Sequence, residues 1–228
     1  MEKLFATMIE ESRKLLADSS PISIPDTYAA VSHRAIHFSA HFYKHTLGEM
    51  RAVYIVGPKI EIINLFFFPT PTEMAPIYAM EFVQMGRRAV VGVIDVVSDP
   101  AQLTAVEEAR SIIEPIRFNY KELKQGEDPP DWFQECRSGS DFFVRPEGAA
   151  QLTQLRAAHF QVFENYLDRL GNHAARADSS PSGGERSARN WQSNYKAHHA
   201  ENSPGLPFLN RTFGEEWAQV FLNQYLFA

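Results

Sequence analysis

The chain has 228 residues, a formal charge of −6 at pH 7, and a composition that is 44% apolar and 22% charged. This length suits one domain over residues 1–228 with room for a sizeable pocket. A net negative charge with scattered Lys and Arg argues against a nucleic-acid interface. The single cysteine, Cys136, excludes an internal disulfide and any all-cysteine metal or iron–sulfur site. Without a long apolar run or a signal-peptide pattern, we expect a cytoplasmic monomer with no membrane contact.

Apolar residues at helical spacing predict an amphipathic helix over 2–17 that packs on a sheet. Alternating residues then predict a hairpin over 35–57, with its turn at Leu47-Gly48-Glu49. The same alternation predicts three further strands, over 59–68, 77–83 and 89–97. Because short turns join these strands, we expect neighbouring strands to pair antiparallel.

The second half of the chain has mostly helical patterns. Amphipathic spacing predicts helices over 103–116, 148–170, 192–200 and 214–227, and a short strand over 141–144. The polar, glycine-rich segment 175–189 is typical of a mobile surface loop. A run of antiparallel strands accompanied by helices predicts the α/β class, as a three-layer α/β/α sandwich with a central antiparallel sheet.

Two polar side chains interrupt the apolar strand faces of the segment 60–97. Alternation places Asn64 beside Phe66 on one face, and Asp95 in the middle of a valine-rich face. Asp95 is either a buried acid or a cap for the turn that follows its strand. Asn64 is either a ligand contact or an amide bonded to backbone. Arg145, just before a helix, either clamps a carboxylate or forms a surface ion pair.

Histidines and sequence motifs narrow the chemistry further. Four histidines recur every four residues: His33, His37, His41 and His45. On a helix this spacing would stack their imidazoles into a metal site. The apolar residues that alternate with them favour a strand instead, with the histidines in a row on its solvated face. The adjacent His198 and His199 point apart on a helix, so no metal site is expected. A glycine-rich phosphate loop and a Gly-x-Ser-x-Gly elbow are both missing. Acid–base chemistry by Asp95, Glu81 or a histidine remains.

The order of four segments resembles one known family. These segments are FFFPTPTEMAPIYAMEFV, then VVGVIDV, then PPDWFQECRSGSDFFVRP, and finally NRTFGEEWAQVFLNQYLF. Over roughly residues 50–228 they resemble the ferredoxin-dependent bilin reductases, which reduce biliverdin to phycobilins. The resemblance implies an α/β/α sandwich that binds bilin between the sheet and the C-terminal helices, with no metal or flavin bound. It also implies single electrons from reduced ferredoxin, protons from the protein, and substrate radicals between steps.

The resemblance also implies roles for particular residues. Asp95 falls on the family's central aspartate, which contacts the pyrrole nitrogens or lactam and donates protons. Asn64 falls where phycocyanobilin-forming members carry a catalytic histidine, and where members that make dihydrobiliverdin or phycoerythrobilin carry asparagine. Arg145 falls on an arginine that holds a bilin propionate. Phe66 and Glu81 are expected to contact the substrate.

Several positions depart from the family pattern. Asn202-Ser203 occupies a substrate-contacting loop where many members carry a second proton-donating aspartate. Ala79-Met80-Glu81 replaces the usual Phe-Gly-x-Asp, and segment 50–56 lacks the His-x-Glu of phycocyanobilin-forming members. We therefore expect reduction of biliverdin IXα to phycoerythrobilin through 15,16-dihydrobiliverdin. Alternatives are a stop at 15,16-dihydrobiliverdin, phycocyanobilin formation, a non-reducing bilin carrier, or an open-chain chlorophyll catabolite as substrate. Arg87-Arg88 is a candidate docking patch for acidic ferredoxin.

Overall fold

The computed structural model describes residues 3–71, 75–86, 88–123, 125–126, 129–176 and 184–228. Within these residues the strands form one antiparallel sheet of eight strands. The strands are β1 Ser20–Pro21, β2 Ala30–His33, β3 Ile36–His45, β4 Gly48–Gly57, β5 Ile60–Pro69, β6 Ile77–Met85, β7 Arg88–Val97 and β8 Phe142–Val144. Their order is β1-β3-β4-β5-β6-β7-β8, with β2 paired to β3.

Helices cover the two faces of this sheet. They are α1 Met8–Lys14, α2 Asp26–Ala29, α3 Leu103–Asn119, α4 Asp131–Gln134, α5 Gly148–Arg176, α6 Gly184–Asn202, α7 Leu206–Phe213 and α8 Glu215–Phe221, followed by a π-helix, Leu222–Leu226. This arrangement confirms the predicted three-layer sandwich. No described helix is both long enough and apolar enough to cross a membrane.

The side of the sheet packed on α1, α3 and α5 is called the core face. Odd-numbered residues of β5, including Ile63, Leu65 and Phe67, point to this face and join one buried cluster with the three helices. Gly92 of β7 lets α5 approach closely, because a Cβ at this position would lie 2.2 Å from Leu155 Cδ2. Burial of this apolar surface is the main stabilising term of the fold.

The opposite side of the sheet, called the cavity face, packs on α6, α7, α8 and the π-helix. Phe66 and Phe68 of β5 and Val97 of β7 join this second buried cluster. The face assignments made from alternation are therefore confirmed for both strands. Gln192 of α6 donates from Nε2 to the Pro69 carbonyl at 3.0 Å, which fixes the helix to the end of β5.

Local boundaries differ from the sequence predictions in three places. Helix α1 begins at Met8, because residues 4–7 form turns. Helices α5 and α6 extend into the predicted loop 175–189 from both ends, so its flanks are helical, and 177–183 lie outside the described residues. His33 lies on β2, whereas His37, His41 and His45 share one side of β3. The predicted single stripe of four histidines is therefore wrong for His33.

Candidate active site

A cavity of about 450 Å³ lies between the cavity face of the sheet and the C-terminal helices. Its floor is formed by β5, β6 and β7, and its roof by α4, α6, α7 and the end of the chain. Many of its wall residues are aromatic: Phe66, Trp132, Phe133, Phe143, Tyr195, Phe208 and Phe227. A cavity of this size, with flat apolar walls and few polar groups, suits an extended conjugated ligand.

Glu81 lies in the middle of the cavity floor. It pairs with Asn64 on β5 and with Val93 on β7, so these three residues form a row across the sheet. No hydrogen-bond donor to its carboxyl group is found in the described part of the chain, and burial alone raises its pKa to about 7. A carboxyl group with this pKa and no protein partner can give a proton to a ligand near neutral pH.

Asn64, next to Glu81, has a side-chain oxygen that the described part of the fold does not satisfy. Its Oδ1 is buried and has no hydrogen-bond partner among the residues described. The expectation of an amide bonded to backbone through this oxygen is therefore not met. Leaving such an acceptor unpaired costs about 1–3 kcal/mol, which favours a ligand or a water as its partner.

Asp95 lies on the neighbouring strand, paired with Ala79, and borders the same cavity. Its carboxylate is held firmly. Ser138 Oγ donates to Oδ1 at 2.5 Å and the Ser138 amide to Oδ2 at 3.0 Å, while the Val96 amide donates to Oδ1 at 2.8 Å. Burial and the nearby charge of Asp141 raise the pKa of Asp95 to about 7, against the lowering effect of these hydrogen bonds.

The loop that holds Asp95 is itself fixed by an ion pair. Arg137 donates from Nε to Oδ1 of the buried Asp141 at 2.8 Å, and its guanidinium also lies 5.8 Å from the ring centroid of Phe133. This arrangement connects the aromatic wall with the segment that carries Ser138. Asp95 is therefore an acid held by hydrogen bonds from a loop that an ion pair fixes, whereas Glu81 is an acid that faces the cavity without a described partner.

Two arginines border the cavity. Arg145 follows β8, and Arg211 lies on α7. Arg145 forms no ion pair within the described ranges, so the alternative of a surface ion pair is not what the structure contains. Arg211 donates from Nε to the Pro207 carbonyl of its own helix, which leaves the other nitrogens of its guanidinium without a described partner. Sequence analysis identified Arg145 but missed Arg211.

The other predicted site residues divide into two groups. Phe66 and Ser203 border the cavity, as does Asn64. Asn202 does not, because its Nδ2 donates to the His198 carbonyl at 2.9 Å within α6. The prediction of a substrate contact by Asn202 is therefore not met by its position. Arg87 lies outside the described residues, and the side chain of Arg88 is not described either.

Sequence analysis placed the C-terminal helices over the pocket but missed Tyr195 and His199 of α6 as cavity residues. His199 is buried, and its Nε2 has no partner among the described residues. Its ring centroid lies 4.3 Å from that of Tyr195, and burial lowers its pKa to about 3, so the imidazole is neutral. His198 points elsewhere, with Nε2 2.8 Å from the Trp132 carbonyl. The sequence signal that could have found these residues is the row of Trp191, Tyr195 and His199, spaced four apart on one side of α6. Within the described chain, no group of three or more His, Cys, Asp or Glu could hold a metal ion.

Comparisons with known proteins agree on one family. The family described as ferredoxin-dependent bilin reductase matches residues 6–228. Phycoerythrobilin:ferredoxin oxidoreductase of Nostoc punctiforme is 24% identical, over 82% of this chain and 73% of that protein. Phycocyanobilin:ferredoxin oxidoreductase of Synechococcus sp. (strain CC9902) is 25% identical, over 97% and 90%. The structure of tomato phytochromobilin synthase in complex with biliverdin superposes with a TM-score of 0.85 at 17% identity, covering 98% of this chain and 82% of that one.

Proposed function

The chain belongs to the ferredoxin-dependent bilin reductase family, and from this premise we propose that it reduces biliverdin IXα to a phycobilin. The product we propose is phycoerythrobilin, formed through 15,16-dihydrobiliverdin. Reduced ferredoxin supplies the electrons one at a time, so bilin radicals form between steps. The protein supplies the protons, and it carries out this reaction in the cytoplasm as a monomeric single domain.

The observation that carries the proposal is the pair of acids on the cavity floor. Glu81 and Asp95 lie on adjacent strands, on the same face, beneath an aromatic roof. Burial raises the pKa of each to about 7, so each can hold and release a proton near neutral pH. Each electron that enters the bilin increases its basicity, and an adjacent carboxylic acid can then protonate it without a metal or a nucleophile.

The two acids have different roles in this proposal. Glu81 donates a proton directly to the bilin, because its carboxyl group faces the cavity and has no described partner. Asp95 donates at the neighbouring pyrrole or lactam edge, and Ser138 stabilises the carboxylate that remains. This division compensates for the aspartate that is missing beside Ser203. The glutamate at position 81 also extends one methylene further into the cavity than an aspartate would.

The polar groups of the rim orient the substrate. Biliverdin carries two propionate groups, and Arg145 and Arg211 offer one guanidinium to each. The aromatic side chains of Phe66, Tyr195 and Phe227 cover the tetrapyrrole between these ends.

Asn64 supports the choice of product. A neutral amide cannot release a proton as a histidine can. Position 64 therefore supplies no proton donor in addition to Glu81 and Asp95. We therefore propose phycoerythrobilin over phycocyanobilin. Relatives named for three different reactions match at 23–25% identity, so this choice rests on Asn64 and not on the overall similarity.

The test is anaerobic incubation of the protein with biliverdin, a ferredoxin and a reductant for the ferredoxin. Absorption spectra follow the loss of biliverdin, and chromatography against authentic bilins identifies the product. We expect phycoerythrobilin, with 15,16-dihydrobiliverdin as a transient. Bound biliverdin that stays unchanged under reducing conditions would overturn the proposal and leave a bilin carrier. Phycocyanobilin as the product would overturn only the role given to Asn64.

A further inference from the structure

A second, smaller cavity of about 40 Å³ lies beside the main one, on the side of β3 and β4. The two cavities share seven wall residues: Ile62, Asn64, Glu81, Ser203, Gly205, Phe208 and Leu226. Phe38, Val53 and Ile55 border only the smaller one, which we name the side cavity. Its volume exceeds the requirement for one water molecule, about 10–15 Å³ measured with a water-sized probe.

The polar groups around the side cavity suit a water. Asn64 and Glu81 are direct cross-strand partners, but no direct hydrogen bond joins the two side chains. Asn64 Oδ1 has no partner in the described part of the chain, and Ser203 adds a hydroxyl group. A buried water needs two to four polar partners, and an amide, a carboxyl and a hydroxyl group provide three.

We propose that the side cavity is a water site that returns a proton to Glu81 during turnover. This inference rests on the proposed function, because Glu81 must first lose its proton to the bilin. In that step ferredoxin supplies the electron, the O–H bond of Glu81 breaks, and a C–H bond forms on the reduced bilin. A proton from solvent then passes to the Glu81 carboxylate through the water beside Asn64, which accepts one proton as it donates another and so stays neutral.

The position of Glu81 makes this route necessary. A tetrapyrrole in the main cavity covers Glu81 on that side and excludes solvent, since the walls there are largely apolar. The side cavity also borders Glu81 and extends from it toward β3 and β4. Ser203 and Gly205, which border it, are partly exposed, so the loop between α6 and α7 offers a path from solvent.

A cavity-filling substitution tests the proposal without touching the acids. Val53 borders the side cavity only and pairs with Asn64 on β5. Val53→Ile adds one methylene where the water would lie. Val162→Ile is the matched control, because Val162 is also buried but lies on α5 against the core face. Val53→Thr keeps the volume and adds a hydroxyl group, so it preserves the water site.

Two rates are measured after rapid anaerobic reduction of the protein–biliverdin complex at about pH 6, where Glu81 starts protonated. The first rate is that of the absorbance change from the reduced bilin to its protonated form, which reports proton donation. The infrared C=O band of protonated Glu81, assigned by its loss in Glu81→Gln, reports the return of the proton. In Val53→Ile we expect a wild-type first rate and a return slower by about tenfold or more. Val53→Thr and Val162→Ile should show wild-type values for both rates.

The outcomes separate this inference from the proposed function. No absorbance change in the wild-type protein means that the proposed function fails. Wild-type turnover together with an unchanged return rate in Val53→Ile overturns the side-cavity route alone, as does an equal slowing of both rates. If Val53→Ile does not fold, a high-resolution crystal structure of the wild-type protein decides. A water within hydrogen-bond distance of Asn64 and Glu81 supports the proposal, and a side cavity without one overturns it.

Discussion

The two faces of the sheet treat a glutamate in opposite ways. On the core face, Glu61 is completely buried, and its carboxylate accepts hydrogen bonds from the amides of Leu4 and Phe5 and from the hydroxyl group of Tyr54. On the cavity face, Glu81 has no described donor. The first arrangement satisfies a buried charge, as stable folds require, while the second leaves an acid ready for a ligand.

The same contrast separates two buried histidines. His159 on the core side is bonded at both nitrogens, with Nδ1 2.6 Å from the Tyr78 hydroxyl and Nε2 2.9 Å from the Ser12 hydroxyl. On the cavity side, Nε2 of His199 has no partner in the part of the chain that the structure describes. Both are neutral, because burial lowers each pKa to about 3. Glu61 and His159 therefore stabilise the fold on the core face, whereas Glu81 and Nε2 of His199 beside the cavity lack described partners where a ligand would bind.

A matched pair of substitutions gives the strongest test of this contrast. Glu81→Gln removes the proposed donor, so biliverdin reduction should fall by about 100-fold or more while biliverdin still binds. Glu61→Gln should keep its activity but lower the free energy of unfolding by about 1–3 kcal/mol, because an amide accepts fewer hydrogen bonds. Anaerobic turnover and urea unfolding measure the two effects. Loss of activity in Glu61→Gln at full folding would contradict the division between the faces.

The effect of Glu81 on stability should also depend on pH in a definite direction. Burial raises the pKa of folded Glu81 to about 7 from its ordinary 4.5, so the folded state binds the proton more tightly than the unfolded state does. The contribution of Glu81 is therefore fully present below about pH 4.5 and is lost as the pH rises through 7. The loss is at most about 3 kcal/mol. Unfolding measured from pH 5 to 8 should show a smaller decline in Glu81→Gln, and Asp95 accounts for the remainder.

Substitutions around Asp95 should have the next largest effect. Asp95→Asn should slow reduction by about 10–100-fold after normal binding, with a persistent bilin radical detected by electron paramagnetic resonance. Ser138→Ala removes one of the three groups that donate to the Asp95 carboxylate, because the hydroxyl group is lost while the amides of residue 138 and Val96 remain. The pKa of Asp95 should therefore rise, and the alkaline limb of the pH–rate profile should move to higher pH. Full turnover by Asp95→Asn would remove Asp95 from the proton path.

The arginines at the rim should affect binding more than chemistry. Arg145→Gln and Arg211→Gln should each weaken biliverdin binding by about tenfold, because one guanidinium–carboxylate contact is lost. Titration of biliverdin followed by absorbance measures the affinity. Biliverdin dimethyl ester, which lacks both charges, is the control ligand and should bind all three proteins equally. A loss of affinity for the ester as well would indicate a change in cavity shape.

The smallest effect is expected from a single hydroxyl group on the core side. Tyr78→Phe leaves Nδ1 of His159 without its partner, so the free energy of unfolding should fall by about 1–2 kcal/mol. Biliverdin reduction should be unchanged, because Tyr78 points away from the cavity. Thermal unfolding and anaerobic turnover check the two expectations. Reduced turnover with normal stability would connect the core face to the chemistry.

Local periodicity was sufficient to predict most of the framework. Alternation along β5 and β7 assigned Asn64, Phe66 and Asp95 to the cavity face, because side-chain direction in a strand depends only on position. The position of Arg145 just before a helix already marked it as a possible carboxylate clamp, and the resemblance added its propionate partner and the loop at Ser203. Contacts between distant segments were beyond this reasoning: Ser138 reaches Asp95 across 43 positions, and the amides bound to Glu61 lie 56 and 57 positions away. The same reason explains why sequence analysis favoured Asp95 over Glu81. Only the packed loop that carries Ser138 shows that Asp95 already accepts hydrogen bonds from the protein.

The π-helix at the C-terminal end of the fold has a further consequence for the cavity. The amide of Phe227 donates to the Leu222 carbonyl at 2.9 Å, so this turn holds one residue more than an α-helical turn does. Phe227 thereby lies against Phe66 and His199, with ring centroids 5.1 Å and 5.7 Å apart. Deletion of one residue within 222–226 would restore ordinary winding and rotate the final residues by about 100°. The roof would lose an aromatic ring, so indels in this one turn offer evolution a simple means to resize the cavity.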